Sequence, residues 1–177
     1  HFEDPLLNLF LSGNNGQSSV IGSIHTDNVK RGMENIYFAD VVRGGEHPRR
    51  SVVNFEGNSP FRAVEQFYRQ SEQRPAKFLR FEDEDIVMVS AQPDCDVDWL
   101  EALNEEKIRE LDRTESLSLL EKRSYRWSCG CDEKRILHLL GPSMRNDPEN
   151  LFEGEEVIRV GCPRCGARYA VTRETLE

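Results

Sequence analysis

The feature that most narrows what this chain can fold into is a set of four cysteines in two tight pairs. They are Cys129-Gly130-Cys131, then a gap of thirty residues, then Cys162-Pro163-Arg164-Cys165. The second pair, followed at once by Gly166, has the spacing of a zinc knuckle, in which two thiolates converge on one metal while turn amides point at the sulfurs. The first pair is less common, and its thiolates reach the same ion only if the backbone kinks, a freedom that Gly130 supplies. Four soft sulfurs favour zinc over calcium or magnesium and fill a tetrahedral shell, leaving no position for a catalytic water. The expectation is one structural zinc ion held by Cys129, Cys131, Cys162 and Cys165. Two rivals are weaker. A disulfide framework suits a secreted chain, and nothing here marks secretion; an iron–sulfur cluster has spacings that are absent. His138 stands alone on the part-apolar face of a helix expected over Arg135 to Leu140, and reads as packing rather than as a ligand.

The segment from Ser128 onward is too short to build a self-sufficient core, so metal must supply much of its stability. A structural zinc contributes about 10–16 kcal/mol to apparent folding, against about 5–15 kcal/mol for the total stability of a typical domain. A disulfide that replaces part of the site returns about 2–4 kcal/mol. A bond inside Cys129-Gly130-Cys131 would return less, because residues two apart sit near the limit of the allowed Cα separation. Oxidation should therefore melt this module, with Val157 to Val160 and Arg168 to Val171 as the strands flanking the knuckle.

Upstream the pattern changes. Asn8 to Leu11 and Val20 to Ile24 read as a hairpin across Gly13-Asn14-Asn15-Gly16, and further strands are expected at Asn35–Val42, Ser51–Phe55, Lys77–Phe81 and Ile86–Ser90. One helix interrupts them, starting after Asn58-Ser59-Pro60 and ending near Arg74-Pro75, with Phe61, Val64, Phe67 and Tyr68 as a core-packing stripe. The fold class expected is α+β: an N-terminal mixed α/β sandwich domain over 1–90, an acidic helical linker over 91–124 and a small C-terminal zinc-binding domain over 125–177. The chain opens on His1 inside what already reads as a domain, so the first domain is expected to be partial.

Between Glu82 and Glu121 fourteen acids face three basic residues, while Leu100, Leu103, Ile108 and Leu111 keep a helical spacing. Such a segment is either a solvated connector or a linker poised between docked and disordered, because like charges and few large apolar groups barely offset its ordering entropy. Cys95, set between Asp94 and Asp96, reads as an exposed thiol whose acidic neighbours blunt its reactivity, with disulfide exchange toward the other cysteines as the lesser reading.

The net charge of −9 argues against a phosphate backbone as the main partner. Lys122, Arg123, Arg126, Lys134 and Arg135 lie near the cysteines and would serve a zinc-ribbon module that binds nucleic acid or protein. Yet residues 122–177 hold ten basic and nine acidic residues, too near neutral for a dedicated nucleic-acid binder. No run reaches the roughly eighteen apolar residues of a membrane span. No Ser-His-Asp grouping, phosphate loop or paired catalytic carboxylates stand out, so no enzyme is indicated. Two tight cysteine pairs read as metal or redox chemistry suit a reducing cytosol.

The Cys-x-Cys, thirty-residue gap and Cys-Pro-x-Cys-Gly resemble the zinc module of the bacterial redox-regulated heat-shock chaperones, the thirty-three-kilodalton chaperonin family. Phe55-Glu56-Gly57-Asn58, the helix to Phe67-Tyr68, Ser71-Glu72-Gln73-Arg74-Pro75 and Ser12-Gly13-Asn14-Asn15-Gly16-Gln17 resemble that family's first domain, in the same order. The resemblance implies an ATP-independent holdase that is inactive when reduced and zinc-bound. It implies that hypochlorite, or peroxide with heat, pairs Cys162 with Cys165 and then Cys129 with Cys131, releases zinc and unfolds the linker. The implied partners are unfolded or misfolded client proteins and, on oxidation, a second copy of the chain.

Overall fold

A computed structural model of the chain describes residues 1–176; Glu177, the last residue of the expected zinc domain, lies outside them. The fold is mixed α+β. Its residues gather into two compact units, 1–8 with 26–121 and 9–25 with 122–177.

In the first unit, β1 (Phe2–Glu3) pairs antiparallel with the opening residues of β2 (Leu6–Asn14). The strands β4 (Asn35–Val41) and β5 (Arg49–Phe55) form a hairpin in which Ile36 faces Asn54 and Phe38 faces Val52. Alternation decides which side packs: Val53 and Phe55 are buried while Val52 and Asn54 are exposed, as the period of two requires. Helix α1 (Pro60–Gln70) begins with proline at its first position and buries Ala63 and Phe67. Phe67 meets Tyr37 at 5.2 Å between ring centroids, and Phe61 stacks on Phe78 at 5.3 Å. The helix stops short of the Arg74-Pro75 end that the sequence suggested. The amides of Ser71 and Glu72 both return to the Phe67 carbonyl, and Gln73 takes a left-handed φ of 53°, so the chain is already turning into β6 (Ala76–Arg80). β6 pairs with β7 (Ile86–Ser90) across the acidic turn.

The acidic segment is helical, but in three short pieces rather than one: α2 (Val97–Glu101), α3 (Glu105–Arg109) and α4 (Leu111–Thr114). A side-chain cap opens each of the first two pieces, and the second cap makes the break between α2 and α3. Asp96 Oδ1 accepts from the Trp99 amide and Asn104 Oδ1 from the Lys107 amide, each at 2.9 Å, and short Asx side chains compete with the helix in this way. Leu100 and Leu103, 4% and 3% exposed, form a cluster with Ala91, against which Val89, Cys95 and Ile108 pack. Cys95 is thus half-buried, not the fully exposed thiol its acidic flanks suggested. Lys77 Nζ donates to the carbonyls of Glu101 and Leu103 at 2.5 and 2.6 Å, neutralising the C-terminal end of α2. The Arg109 guanidinium lies 4.8 Å from the centre of the Phe81 ring. Past Glu115 the chain has no regular structure up to Tyr125, and Leu119 and Leu120 are 86% and 94% exposed.

In the second unit the rest of β2 neighbours β3 (Ser19–His25), whose other edge pairs in parallel with β8 (Arg126–Trp127), Ser19 facing Arg126 and Val20 facing Trp127. β2 runs through Gly13 to Asn14, so the turn falls at residues 15–18 rather than at 13–16. Helix α5 (Glu133–Asn146), α6 (Pro148–Phe152), the hairpin β9 (Val157–Gly161) with β10 (Arg168–Thr172), and a 3-10 turn over Glu174–Leu176 complete the unit. One core cluster gathers buried Ile136, Phe152 and Val171, with Leu137, Leu140, Leu151, Ile158, Val160 and Tyr169 around it, and Ile21 on β3 is buried as well.

The docking of residues 97–109 rests on two leucines. Replacing both Leu100 and Leu103 by alanine should remove about 2–5 kcal/mol apiece. Hydrogen exchange is expected to accelerate at the amides of 97–109 while those of the β4–β5 hairpin keep their protection.

Candidate metal centre

The two cysteine pairs are brought together by separate devices. Cys129 follows β8 with one residue, Ser128, between them. Gly130 then adopts φ of 67°, the left-handed turn that the Cys-x-Cys spacing demanded. Asp132 caps α5 by accepting from the Arg135 amide at 2.7 Å, and the Arg135 guanidinium reaches back to the Gly130 carbonyl at 2.9 Å. The kink is therefore tied to the helix that follows it. Cys162 and Cys165 form the turn of the β9–β10 hairpin, closed by the Cys162 amide on the Ala167 carbonyl (2.8 Å) and the Gly166 amide on the Cys162 carbonyl (2.9 Å). Gly166, at φ of 72°, does for this turn what Gly130 does for the other.

All four sulfurs lie within 4.8 Å of one another, Cys129 and Cys162 at 3.8 Å and Cys131 and Cys165 at 3.5 Å. A tetrahedral zinc with Zn–S bonds of about 2.3 Å would set its sulfurs about 3.8 Å apart, so the donor set fits that ion in number, softness and spacing. Among the described residues no other cluster of three or more histidine, cysteine or acidic side chains has this convergence. His138 is exposed on α5 and takes no part.

The electrostatics of the four thiols differ. Burial pushes Cys129 up, and hydrogen bonds with the thiols of Cys165, Cys131 and Cys162 take it to about 12. Burial also pushes Cys162 up. The backbone amides of Arg164 and Cys165, with the neighbouring thiols of Cys165 and Cys129, outweigh that and bring it down to about 7. The Ala167 amide favours the Cys165 thiolate, but burial and the thiols of Cys131 and Cys162 leave that group raised. A knuckle whose amides point at Cys162 thus readies one thiolate near neutral pH, and a divalent cation would collect the rest.

Three sets of contacts lay outside the sequence reading. The Tyr169 hydroxyl donates to Cys131 Sγ at 3.1 Å. Arg135, counted there as a possible phosphate contact, is committed to the Gly130 carbonyl, and Arg123 donates to Asn15 Oδ1 at 2.6 Å. Ser23 on β3 donates to the Pro163 carbonyl inside the knuckle at 3.1 Å. The first had a signal: alternation along β10 places Tyr169 on the side of buried Val171. The third joins residues 140 positions apart and had none.

Metal-free protein should take up one zinc per chain, and Cys162→Ser should abolish tight uptake. Ligation needs thiolates and displaces the proton that Cys129 holds up to about 12, so affinity should tighten as pH rises from 6 to 8, as competition with a chromogenic chelator would show.

Comparison with known proteins places this arrangement. A family model described as Hsp33 protein matches residues 87–172, which takes in the docked acidic segment and all four cysteines. A 33 kDa chaperonin of Nitrosococcus oceani is 23% identical over 154 residues, covering 75% of this chain and 53% of that protein. The chain therefore spans about half the length of the curated relative it matches. The solved structure of the 33 kDa chaperonin (heat shock protein 33 homolog) of Thermotoga maritima is similar in fold, with a TM-score of 0.59 at 15% identity over 96% of this chain and 75% of that one.

Proposed function

We propose that this chain, which belongs to the Hsp33 family, is a redox-gated, ATP-independent holdase of the cytoplasm rather than an enzyme. The observation that carries the reading is the convergence of four thiols within 4.8 Å in a unit with a small buried core, built chiefly around Ile136, Phe152 and Val171. Cys129, Cys131, Cys162 and Cys165 would hold one zinc ion, which supplies the cross-link that so small a core lacks.

Under an oxidant, two thiolates of a pair give up two electrons and join as a disulfide while a peroxide is reduced to two hydroxides, or hypochlorite to chloride and hydroxide. Cys162, the thiol nearest ionisation at neutral pH, reacts readily, pairing with Cys165; Cys129 and Cys131 follow. Sulfurs tied in disulfides no longer serve as zinc ligands, and the unit loses its main restraint. Residues 91–124 form the responsive linker in this reading. When their docking is lost, Leu100 and Leu103 join the already exposed Leu119 and Leu120, an apolar surface suited to unfolded or misfolded client proteins. A second copy of the oxidised chain could associate through the same surface. Reductant restores the thiolates.

Among the described residues no helix is long and apolar enough to cross a membrane. The commitments of Arg123 and Arg135 within the unit weigh against nucleic acid as a partner.

The test follows zinc release with a chromogenic chelator during hypochlorite or peroxide treatment, alongside suppression of aggregation of a heat-unfolded client. Zinc release coincident with protection, both reversed by a thiol reductant, is expected, and peptide mapping should show the Cys162–Cys165 and Cys129–Cys131 pairs. Zinc retained under oxidant, or lost without client protection, would leave the site purely structural.

A further inference from the structure

We propose that Tyr169 is a positioning residue for Cys131, whose sulfur its hydroxyl holds as a hydrogen-bonded, less nucleophilic thiolate, and that it thereby slows the oxidation of Cys131 on which complete zinc release depends. The proposal deepens the metal-centre reading and rests on it.

Tyr169 is fixed from two sides. On the ladder it pairs with Val160 of β9, and its ring packs on the core of Ile136, Phe152 and Val171. The hydroxyl that emerges from this packing ends 3.1 Å from Cys131 Sγ, a sulfur thirty-eight residues away in the chain. The sulfurs of Cys162 and Cys165 draw their donors from knuckle amides of Arg164, Cys165 and Ala167, which only a change to proline would remove. Cys131 lies outside that hairpin and takes its bond from a side chain. A tyrosine O–H beside sulfur is a donor, since a thiolate has no proton to give, and bonds to charged acceptors are the strong ones.

The consequence is chemical. When a thiolate attacks peroxide, a sulfur lone pair forms the S–O bond, the O–O bond breaks and hydroxide departs. A second thiolate then attacks the sulfenic sulfur, forming S–S and releasing another hydroxide. A lone pair that accepts the Tyr169 proton is drawn away from that first attack, so the bond must weaken before Cys131 reacts. Partners of this outer kind orient and tune metal ligands. Removing the donor leaves the ligand count intact and the sulfur more reactive.

The variants compared are Tyr169→Phe and Tyr125→Phe. Tyr125 also lies in this unit, with its hydroxyl on Asn15 Oδ1 at 2.7 Å, away from the sulfurs. Both should bind one zinc, since the ring that packs is retained. Under peroxide, Tyr169→Phe should release zinc about fivefold faster than the parent, the order expected for one hydrogen bond, and Tyr125→Phe at the parent's rate. Cobalt substituted for zinc should show thiolate-to-cobalt charge-transfer bands at longer wavelength in Tyr169→Phe alone, a shift that a merely structural role would not produce. Coincident bands and rates within twofold of the parent would overturn the role of Tyr169 while leaving the switch reading intact. Slower release would overturn it too, by making the hydroxyl a proton donor to the departing oxygen. A parent that takes up neither cobalt nor zinc would overturn the metal-centre reading and this proposal together, whereas release without client protection would sink only the holdase.

Discussion

Four sulfurs within 4.8 Å of one another are the constraint on which the second unit depends. Its elements are short, with strands of two, five and seven residues and a helical stretch divided at Asp147, and so small a buried core cannot order that much chain. The devices around the sulfurs are correspondingly dense. Two glycines in left-handed conformations, an Asp132 cap, an arginine folded back on Gly130 and a tyrosine on Cys131 all serve to aim thiols at a point. Such convergence has a cost in repulsion and desolvation once the thiols ionise, and only a cation at the centre offsets it.

The acidic segment obeys the opposite logic. Its hold on the first unit consists of Leu100 and Leu103, the Lys77 ammonium on two carbonyls and the Arg109 contact with Phe81. Splitting the segment into three short helices, each with few internal bonds, keeps propensity from stabilising it alone. Few contacts hold it in place, and segments held this way open locally at low free energy.

Much of this was legible in the sequence because it is local. The cysteine spacing, the glycine at each turn, the hairpins and the proline-led helix are written in residues a few positions apart, and the strand limits at Asn35, Ile86, Val157 and Arg168 follow from alternation and turn chemistry. The misses come from competition that periodicity does not record. Asn104 intervenes in an apolar spacing that otherwise reads as one helix. Gln73 turns the chain before the proline does. Cys95, flanked by acids, is drawn half under by the Ala91 cluster. Ser23 finds Pro163 across 140 residues, which no local pattern could announce.

These two regimes belong together. In the proposed switch, a cross-link worth about 10–16 kcal/mol when metal is bound has to be lost before the second unit opens, so chemistry at the sulfurs rather than thermal fluctuation would decide when it does. The converse arrangement, a weak centre and a firmly docked linker, would respond to heat before oxidant. What sets the response to oxidant is then the reactivity of individual thiolates rather than the total binding energy. That reactivity is distributed unevenly: backbone amides serve the knuckle, while a side-chain hydroxyl serves Cys131. Backbone donors come with the hairpin and are fixed by its geometry. A side-chain donor at position 169 can be changed without disturbing the fold, so the sensitivity of the centre can be adjusted independently of its stability.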